Sequence, residues 1–403
     1  MRCLVMDLRI WLESIYTKAR QSISKPSLYG SDIDISSYIS DSSESVLAES
    51  RFDAKKAEEV GVNLSANALY LQVDQTYYKY ISRIPGVEVL RIEDFIDSNP
   101  DEAREYVWKL VDPGIDKYTA LAALRGRGGY FIRVKRNTRV EEPVMACLFI
   151  SYKGLQAPHN IVVVEDGAEA TVYTGCTIAP EVLGLHIGIS EFYVGKNAKL
   201  RFIMVHSWNR VAHVRPRTGV IVDDGGEYIS YYVNISNVKT LQTFPTIYLG
   251  YNARAYSASI ILGQGDSEID VGTKAYLAEE SSAELISRAI AKDDSRVIMR
   301  ASIVGRGGRG HIDCRGLMQS NTANIKTIPE LEAESPNALL THEASIGRLA
   351  EEEIYYLMSK GFSKDEAIGI LVRGFISVDT SRLPERVRTY IDTIERLTAE
   401  KAM

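Results

Sequence analysis

The spacing of apolar side chains predicts helices at the start of the chain. Six apolar residues recur at the helical period within residues 7–20: Leu8, Trp11, Leu12, Ile15, Tyr16 and Ala19. Acidic residues at the expected helix starts predict three further short helices, at 53–60, 92–97 and 101–111. The intervening residues 31–50 are rich in Ser and Asp, which indicates a mobile segment or a long loop. Residues 1–117 are therefore predicted to form an N-terminal helical region.

From about Gly128 the apolar residues alternate, as in strands, until about residue 346. A polar residue, one or two small residues and an alternating stretch recur, with the small residues at Ala168, Ala198, Gly226, Ala253, Ser267, Ser282, Ser295 and Gly308. Their separations are 30, 28, 27, 14, 15, 13 and 13. A repeat of about 28 with a half-repeat of about 14 predicts a mainly β protein, a solenoid with several strands per coil. A parallel β-helix over 118–345 fits best, and a β-sandwich is the second choice.

Helical spacing returns in residues 346–403. Ile354, Leu357 and Met358 share one helical face, and Ser363 with Glu366 forms a capping box that opens a second helix. A third helix is predicted beside Pro384. The chain thus ends in a compact helical unit appended to the solenoid.

Composition narrows the functional classes. The 403 residues carry a net charge of −6, with 45% apolar and 25% charged residues, as in ordinary soluble globular proteins. A nucleic-acid binder would carry a basic surplus, so that class is disfavoured. No apolar run approaches the roughly 20 residues of a membrane helix, and Asp7 and Arg9 interrupt the first apolar stretch. We expect a cytoplasmic protein with no membrane segment and no export signal.

The cysteines are the main candidates for chemistry. Cys3, Cys147, Cys176 and Cys314 are scattered and form no CxxC motif. Alternation places Cys176 on one face with Val172 and Thr174, and Cys314 on one face with Ile312 and Gly316. Two buried structural cysteines are the plain interpretation. Two thiols facing a solenoid interior would instead be an unusual set of soft metal ligands.

Two other motifs have ambiguous chemistry. His342 and Glu343 follow the last predicted strands, where they form either a solvated loop or, with a thiolate, an open iron site. The GRGGRG stretch at 305–310 has P-loop spacing, but His311 stands where that motif needs Lys and a strand follows. We interpret it as a solenoid turn, so any ATP chemistry belongs to a partner.

Several segments resemble the SufB/SufD family, the scaffold component of the SUF iron–sulfur cluster assembly system. The resemblance spans about residues 68–378 and rests on LYLQVDQ, DKYTALAALRGRGGYFIRV, YTGCTIAP, PELEAESP and LTHEASIGRLAEEEIYYLMSKGFSKDEAIGILVRGF. It implies a right-handed parallel β-helix between helical regions, pairing with a second SufB/SufD-type subunit, either a copy or a paralogue. It also implies that the C-terminal helices, residues 346–403, bind a SufC-type ABC ATPase.

The resemblance further implies a function and its substrates. Sulfur would come from a cysteine desulfurase or a sulfur carrier, and a transient iron–sulfur cluster would be assembled and passed to apo-proteins. The chain would then be a scaffold rather than an enzyme with its own turnover. The cluster type and any reduced flavin in the full complex stay open.

Family motifs assign roles to three residues, and His342 is added as a neighbour of one of them. Cys176, in Gly175–Pro180, matches the sulfur-accepting cysteine of the SufB type, and Cys314 matches its cluster-site cysteine. Glu343 matches the carboxylate of the HEA motif, and His342 is a weaker candidate iron ligand. Cys176 and Cys314 lie 138 residues apart, about five repeats, so we hypothesise that sulfur travels inside the rod.

The SufB assignment has a competitor. Glu343 favours the SufB type, but the N-terminal region lacks a cysteine-rich segment, and Tyr276 stands where a His is frequent after Asp270–Gly272. The alternative is a SufD-like structural partner that binds the ATPase and a SufB paralogue without building a cluster. A polysaccharide-active β-helix enzyme is disfavoured, because it would need clustered exposed carboxylates and would usually be secreted.

Overall fold

Parallel strands coil into a solenoid of about eight turns, flanked by helices. The computed structural model describes residues 2–39 and 51–402. Strands account for 43% of the structure and helices for 21%. The predicted mainly β, parallel β-helix architecture with flanking helices is therefore confirmed, and the β-sandwich alternative is wrong.

The first sheet of the solenoid has ten strands in the described part of the chain. Strands are labelled in chain order, and their order across this sheet is β2 Thr76–Ser82, β1 Ala68–Val73, β5 Val144–Ile150, β8 Glu169–Ile178, β11 Lys199–Ser207, β14 Glu227–Asn234, β17 Arg254–Gly263, β19 Ser282–Ala291, β21 Arg309–Met318 and β23 Leu339–Gly347. All neighbours are parallel except β1 and β2.

The second sheet forms the opposite wall. Its main ladder is β3 Val87–Arg91, β4 Tyr130–Val134, β7 His159–Val164, β10 Ile189–Val194, β13 Arg217–Val222, β16 Thr246–Leu249, β18 Glu268–Leu277, β20 Arg296–Gly305 and β22 Asn324–Ala333. A shorter ladder joins it through β18 and consists of β6 Gly154–Gln156, β9 Gly184–His186, β12 His213–Val214 and β15 Thr240–Thr243.

The sequence repeat corresponds to the coils. Ala168, Ala198 and Ala253 are buried and each immediately precedes a strand of the first sheet, where only a small side chain fits the turn. The half-repeat begins at β18, because this one strand pairs with both β15 and β16. Each later coil therefore has two strands of nine or ten residues instead of several short ones. The stretch at 305–310 contains the turn between β20 and β21, residues 306–308, as predicted.

The N-terminal region is less helical than expected. The helices found are α1 Arg2–Ser22, α2 Ala54–Glu59, α3 Ile92–Ser98, α4 Pro100–Tyr106 and α5 Lys117–Arg125. Between α2 and α3, strands β1–β3 extend both sheets by one coil, a correction to the expected helical region over 1–117. The apolar run at 68–71 is buried by pairing with β5, which explains why it forms a strand.

The helix expected over 101–111 ends at Tyr106. The buried Glu191 carboxylate accepts hydrogen bonds from the backbone N–H groups of Trp108, Leu110 and Val111, which holds this segment in a turn. Most of the Ser- and Asp-rich segment expected over 31–50, namely residues 40–50, lies outside the described residues.

The C-terminal helices are α6 Glu351–Ser359, α7 Lys364–Ile376 and α8 Glu385–Ala402. Val372 and Ile376 of α7 belong to one buried cluster with Ile229 and Ile260 on the outer face of the first sheet. The Tyr231 hydroxyl also donates to the Asp379 carbonyl oxygen at 2.5 Å. The C-terminal unit is therefore packed on the solenoid and is not a separate appendage.

Candidate functional site

Cys176 and Cys314 both point into the solenoid from the first sheet. Cys176 is on β8 and Cys314 on β21, and both are fully buried members of the inner core cluster. Five strand-to-strand steps separate them, a distance of about 24 Å at about 4.8 Å per step. The strand register carries Cys176 to Gly316 rather than to Cys314. The predicted shared inner face is correct, and the two thiols are offset by one inward position.

Cys176 has an imidazole directly opposite it. His206 on β11 is its register partner, and parallel partners project from the same face of a sheet. The next residue in the row, Asn234 on β14, is also fully buried. The His206 Nδ1 atom forms a 2.9 Å hydrogen bond with the Tyr232 hydroxyl, whose donor depends on the imidazole tautomer. Cys176 thus lies within a polar cluster inside a rod whose inner core is mainly apolar.

Three buried polar atoms around this cysteine are unsatisfied. Nε2 of His206, Nε1 of Trp208 and Oδ1 of Asn234 have no hydrogen-bond partner among the residues that the structure describes. The His206 and Trp208 rings lie 5.1 Å apart. A buried polar atom without a partner costs about 1–3 kcal/mol, so a polar group that entered this cluster would gain hydrogen bonds there.

Burial keeps both members of the Cys176–His206 pair uncharged. The pKa of the Cys176 thiol is raised well above its usual value, first by burial and second by Cys147. The pKa of His206 is lowered well below its usual value, first by burial and second by His186. At neutral pH the resting thiol is protonated and therefore a poor nucleophile.

Cys314 lies beside hydroxyl groups instead of an imidazole. It faces Ser287 across the strand register, and the Ser259 hydroxyl donates to the Ser287 hydroxyl at 3.1 Å. Burial, followed by the nearby Asp313 carboxylate, raises the pKa of Cys314 to about 11, while the Ser287 hydrogen bond opposes the rise. Cys314 is thus also a protected thiol at rest.

An internal cavity of about 50 Å³ lies between the two cysteines along the rod. Its lining includes Tyr232 and Ser259, together with Ser257 and Thr273, whose hydroxyls are hydrogen-bonded at 3.3 Å. Tyr232 also contacts His206, and Ser259 contacts the Ser287 that faces Cys314. Polar side chains therefore connect the surroundings of the two thiols.

The structure does not bring Glu343 to Cys314. In the register of β21 and β23, Cys314 pairs with Ala344, and Glu343 pairs with Asp313 on the outer face. The Glu343 side chain is 68% exposed and lies 3.9 Å from the Arg315 guanidinium. A shift of one residue along a strand moves a side chain to the other face of the sheet. The sequence shows that His342 and Glu343 are adjacent, but it does not show which of them faces the same side as Cys314.

His342 is better placed than Glu343. It pairs with Ile312, so it lies on the inner side of β23, diagonal to Cys314. Side chains in that relation are about 7–8 Å apart. Within the described ranges, no three His, Cys, Asp or Glu side chains converge closely enough to hold a metal ion.

Cys147 is also buried but on the other side of the first sheet. It belongs to the outer cluster with Ala57, Val60 and Val62, which cover this part of the sheet. Burial raises the pKa of its thiol to about 12. The side chain of Cys3 is outside the described part.

The solenoid ends in an open edge near Cys314. In the described part of the chain, β23 pairs only with β21, and β22 only with β20. Leu339 is 61% exposed, and Ile346 is also exposed. A long edge strand with exposed apolar side chains is a ready site for pairing with another chain.

The helices present a second exposed apolar surface. Tyr355, Tyr356, Met358, Phe362 and Ile370 on α6, α7 and their connection are all exposed. We call these five residues the aromatic patch. Several large apolar side chains exposed close together in sequence make this surface a candidate interaction site. No helix in the described ranges combines the length and the apolar content that crossing a bilayer requires.

The repeat could have identified His206 from sequence. Ala168 and Ala198 are 30 residues apart, and the same step leads from Cys176 to His206. The average repeat of about 28 misses this partner, because it ends two residues short of His206. Three other neighbours of the thiols could not be identified from sequence, because their contacts depend on the register of particular strands. They are Tyr232, Trp208 and Ser287.

Together these features define a parallel β-helix protein with two thiols on its inner wall, an open edge beside one of them and an apolar helical surface. The model of the "SUF system FeS cluster assembly, SufBD core domain" matches residues 149–375. The chain belongs to the SufBD family of the SUF iron–sulfur cluster assembly system.

Relatives in archaea support this membership across most of the chain. A protein of Archaeoglobus fulgidus, called an iron-sulfur cluster assembly SufBD family protein, is 44% identical over 354 residues, which cover 85% of this chain and 95% of that protein. A relative in Methanothermobacter thermautotrophicus strain Winter is 38% identical, covering 93% of this chain and 95% of the relative. One in Pyrococcus horikoshii is 33% identical, covering 81% of this chain and 73% of the relative.

Proposed function

We propose that this SufBD family protein is a SufB-type scaffold that assembles nascent iron–sulfur clusters and passes them to apo-proteins. The observation that carries the proposal is the pair of inward-facing thiols, Cys176 and Cys314, at two positions of one interior, with a cavity between them that several hydroxyl groups help to line. Iron and sulfur are substrates here, and the cluster is the cargo.

In this proposal Cys176 accepts sulfur from a desulfurase or a sulfur carrier, and the sulfur moves inside the rod to Cys314. The internal cavity and the hydroxyls of Tyr232, Ser259 and Ser287 lie between the two thiols. An interior route protects reactive sulfur from water and from other thiols.

Cluster assembly would take place at the edge where two subunits pair. At this edge a single chain supplies one thiol, that of Cys314, and the nearby His342 lies on the exposed end strand β23. A four-cysteine cluster needs more thiolates than this end of one chain offers. We therefore propose that a second copy or a paralogue pairs with β23, and that His342 and Glu343 hold iron across the seam. Glu343 would serve the partner side, because it faces away from its own Cys314.

The aromatic patch would dock a SufC-type ABC ATPase. Its five residues stay exposed while the opposite side of α7 is buried on the solenoid. A conformational change in the ATPase would thus be transmitted directly to the first sheet, which carries both thiols.

The orientation of Glu343 favours one alternative. A SufD-like partner would bind the ATPase and a SufB paralogue but would not build a cluster, and it would have no need for Glu343 beside Cys314. Its outward orientation and its 68% exposure fit that role.

Anaerobic reconstitution with iron and sulfide distinguishes the two functions. We expect the purified chain to develop iron–sulfur absorption, with Mössbauer spectra that define the cluster, and Cys314→Ser to lose it. Failure of the wild-type chain to hold iron and sulfide, while it still binds a SufB paralogue, would favour the SufD-like role.

A further inference from the structure

The polar cluster around Cys176 suggests how a buried, protonated thiol becomes reactive. Cys176 is fully buried, and the inner core that surrounds its polar cluster is mainly apolar. A thiol in such a place reacts only if a nearby group takes its proton. His206 is the imidazole opposite Cys176, and its Nε2 atom has no hydrogen-bond partner within the described residues.

We propose that His206 accepts the proton of Cys176 when the thiol takes up sulfur, and that Tyr232 holds the imidazole in the required tautomer. The inference rests on the proposed role of Cys176 as the sulfur acceptor. In this tautomer Nδ1–H donates to the Tyr232 oxygen across the 2.9 Å hydrogen bond. Nε2 then carries the free lone pair that a general base needs.

The reaction is a balanced sulfur transfer from a persulfide donor, R–S–S–H. The Cys176 sulfur attacks the terminal sulfur, a new S–S bond forms on Cys176, and the S–S bond of the donor breaks. The proton of Cys176 moves to Nε2 of His206 and then to the departing R–S⁻. The products are the Cys176 persulfide and R–SH, with no electrons gained or lost overall.

The surroundings allow this transfer only as a coupled event. The titratable groups recorded near His206 are Cys176, Tyr232 and His186, and each is kept neutral at pH 7 because burial disfavours its charged form. Thiolate and imidazolium formed together attract each other in the apolar interior, so forming the pair costs less than forming the two charges separately. The structure records no hydrogen bond between the two side chains, so a side-chain rotation must precede the transfer.

Two unsatisfied groups complete the site. The Trp208 N–H is a hydrogen-bond donor, and Asn234 Oδ1 is an acceptor. Trp208 lies 5.1 Å from His206 between ring centroids. Its N–H is suited to the anionic sulfur of a perthiolate, because that sulfur accepts hydrogen bonds. We expect the persulfide to be better satisfied in this cluster than the resting thiol is.

The test measures persulfide formation on Cys176 of the full-length chain by inorganic polysulfide, without iron, between pH 7 and pH 9. His206→Gln should slow the reaction at pH 7 by about 10²-fold, the usual contribution of a positioned base. Its rate should then rise about tenfold per pH unit, because only free hydroxide removes the proton, whereas the wild-type rate should change little. Tyr232→Phe should give a smaller loss with the same steeper pH profile.

His213→Gln is the matched control, because His213 is also an imidazole on a solenoid strand whose pKa is lowered by burial, but it bonds the Thr240 hydroxyl and is not opposite Cys176. It should keep the wild-type rate and profile. Alkylation of Cys147, which lies on the other face of the sheet, reports any general loosening of each variant. An unchanged rate and pH profile in His206→Gln would overturn this inference and leave the proposed function intact. If Cys176→Ser does not impair cluster assembly, the assigned role of Cys176 fails, whatever His206 does.

Discussion

Cys314 and Glu343 lie on adjacent strands of one sheet but project from opposite faces of it. Cys314 faces the interior opposite Ala344, and Glu343 lies outside beside Asp313 and Arg315. The cysteine and the carboxylate of one chain therefore do not form a joint site. In the proposed assembly, Glu343 would instead serve a second subunit that pairs with β23.

Pairing through β23 is testable with a single proline. Leu339 N–H donates to the Gly308 carbonyl oxygen, so odd-numbered residues of β23 bond to β21 and even-numbered ones present their backbone to the open edge. Ala344→Pro removes an outward N–H without removing a bond to β21. We expect it to convert a dimer to a monomer in sedimentation velocity, with the far-ultraviolet circular dichroism unchanged. An Ala344→Pro protein that dimerises like the wild type would exclude this edge as the seam.

The aromatic patch should carry the ATPase interaction. The double substitution Tyr355→Ala and Tyr356→Ala removes two side chains that are exposed in the isolated chain, so folding should be preserved. We expect affinity for the ABC ATPase to fall at least about tenfold in calorimetry, as for aromatic residues at interface centres. Tyr251→Ala, an exposed tyrosine elsewhere on the solenoid, is the control and should have no effect. Equal loss in the control, or no loss in the double variant, would refute the assignment.

The C-terminal helices should contribute to the stability of the solenoid. Ile376 on α7 is fully buried against the first sheet, and Ile370 on the same helix is exposed. Ile376→Ala should lower the free energy of unfolding by about 2–5 kcal/mol, and Ile370→Ala by about 0.5 kcal/mol or less. Urea denaturation measures both. Equal effects would mean that α7 is not packed on the sheet in solution.

The stability that the C-terminal helices contribute should depend on pH through Glu395. Its carboxylate is buried on α8 and accepts the Val378 N–H at 3.3 Å. Burial, opposed by this hydrogen bond, raises its pKa to about 7. A carboxyl whose pKa is higher in the folded state stabilises the fold below its unfolded pKa, and this stabilisation is lost as pH rises towards 7.

We therefore expect the free energy of unfolding to fall by up to about 3 kcal/mol between pH 4.5 and pH 7 from this group, at about 1.4 kcal/mol per pKa unit. Glu395→Gln should flatten that part of the pH profile. The profile is read from denaturation at each pH, and parallel curves for the two proteins would contradict the assignment.

The coil repeat could be predicted from the sequence, and so could the inward orientation of Cys176 and Cys314. Both depend on local alternation and on small residues at turns, such as the buried Ala168, Ala198 and Ala253. The partners of the two thiols were not predictable in this way. The step between neighbouring coils varies, so an average repeat misplaces a residue, and a shift of one residue moves it to the other face. His206 and Glu343 both depend on such single-residue steps.

The N-terminal strands were missed for a related reason. The residues 68–73 of β1 are buried throughout, so they lack the alternation that identifies a half-exposed strand. Their strand conformation follows from pairing with β5 and β2, which lies outside any local window.

Entry of sulfur at Cys176 and its use at Cys314 are tested most directly by one assay. Cluster assembly is measured by absorption for wild type, Cys176→Ser, Cys314→Ser and Cys147→Ser, first with a cysteine desulfurase as the sulfur source and then with free sulfide. We predict that Cys176→Ser and Cys314→Ser abolish desulfurase-driven assembly, while Cys147→Ser leaves it near wild type. Free sulfide should restore assembly in Cys176→Ser but not in Cys314→Ser, because it bypasses delivery alone. Wild-type assembly by both Cys176→Ser and Cys314→Ser with the desulfurase would contradict this route for sulfur.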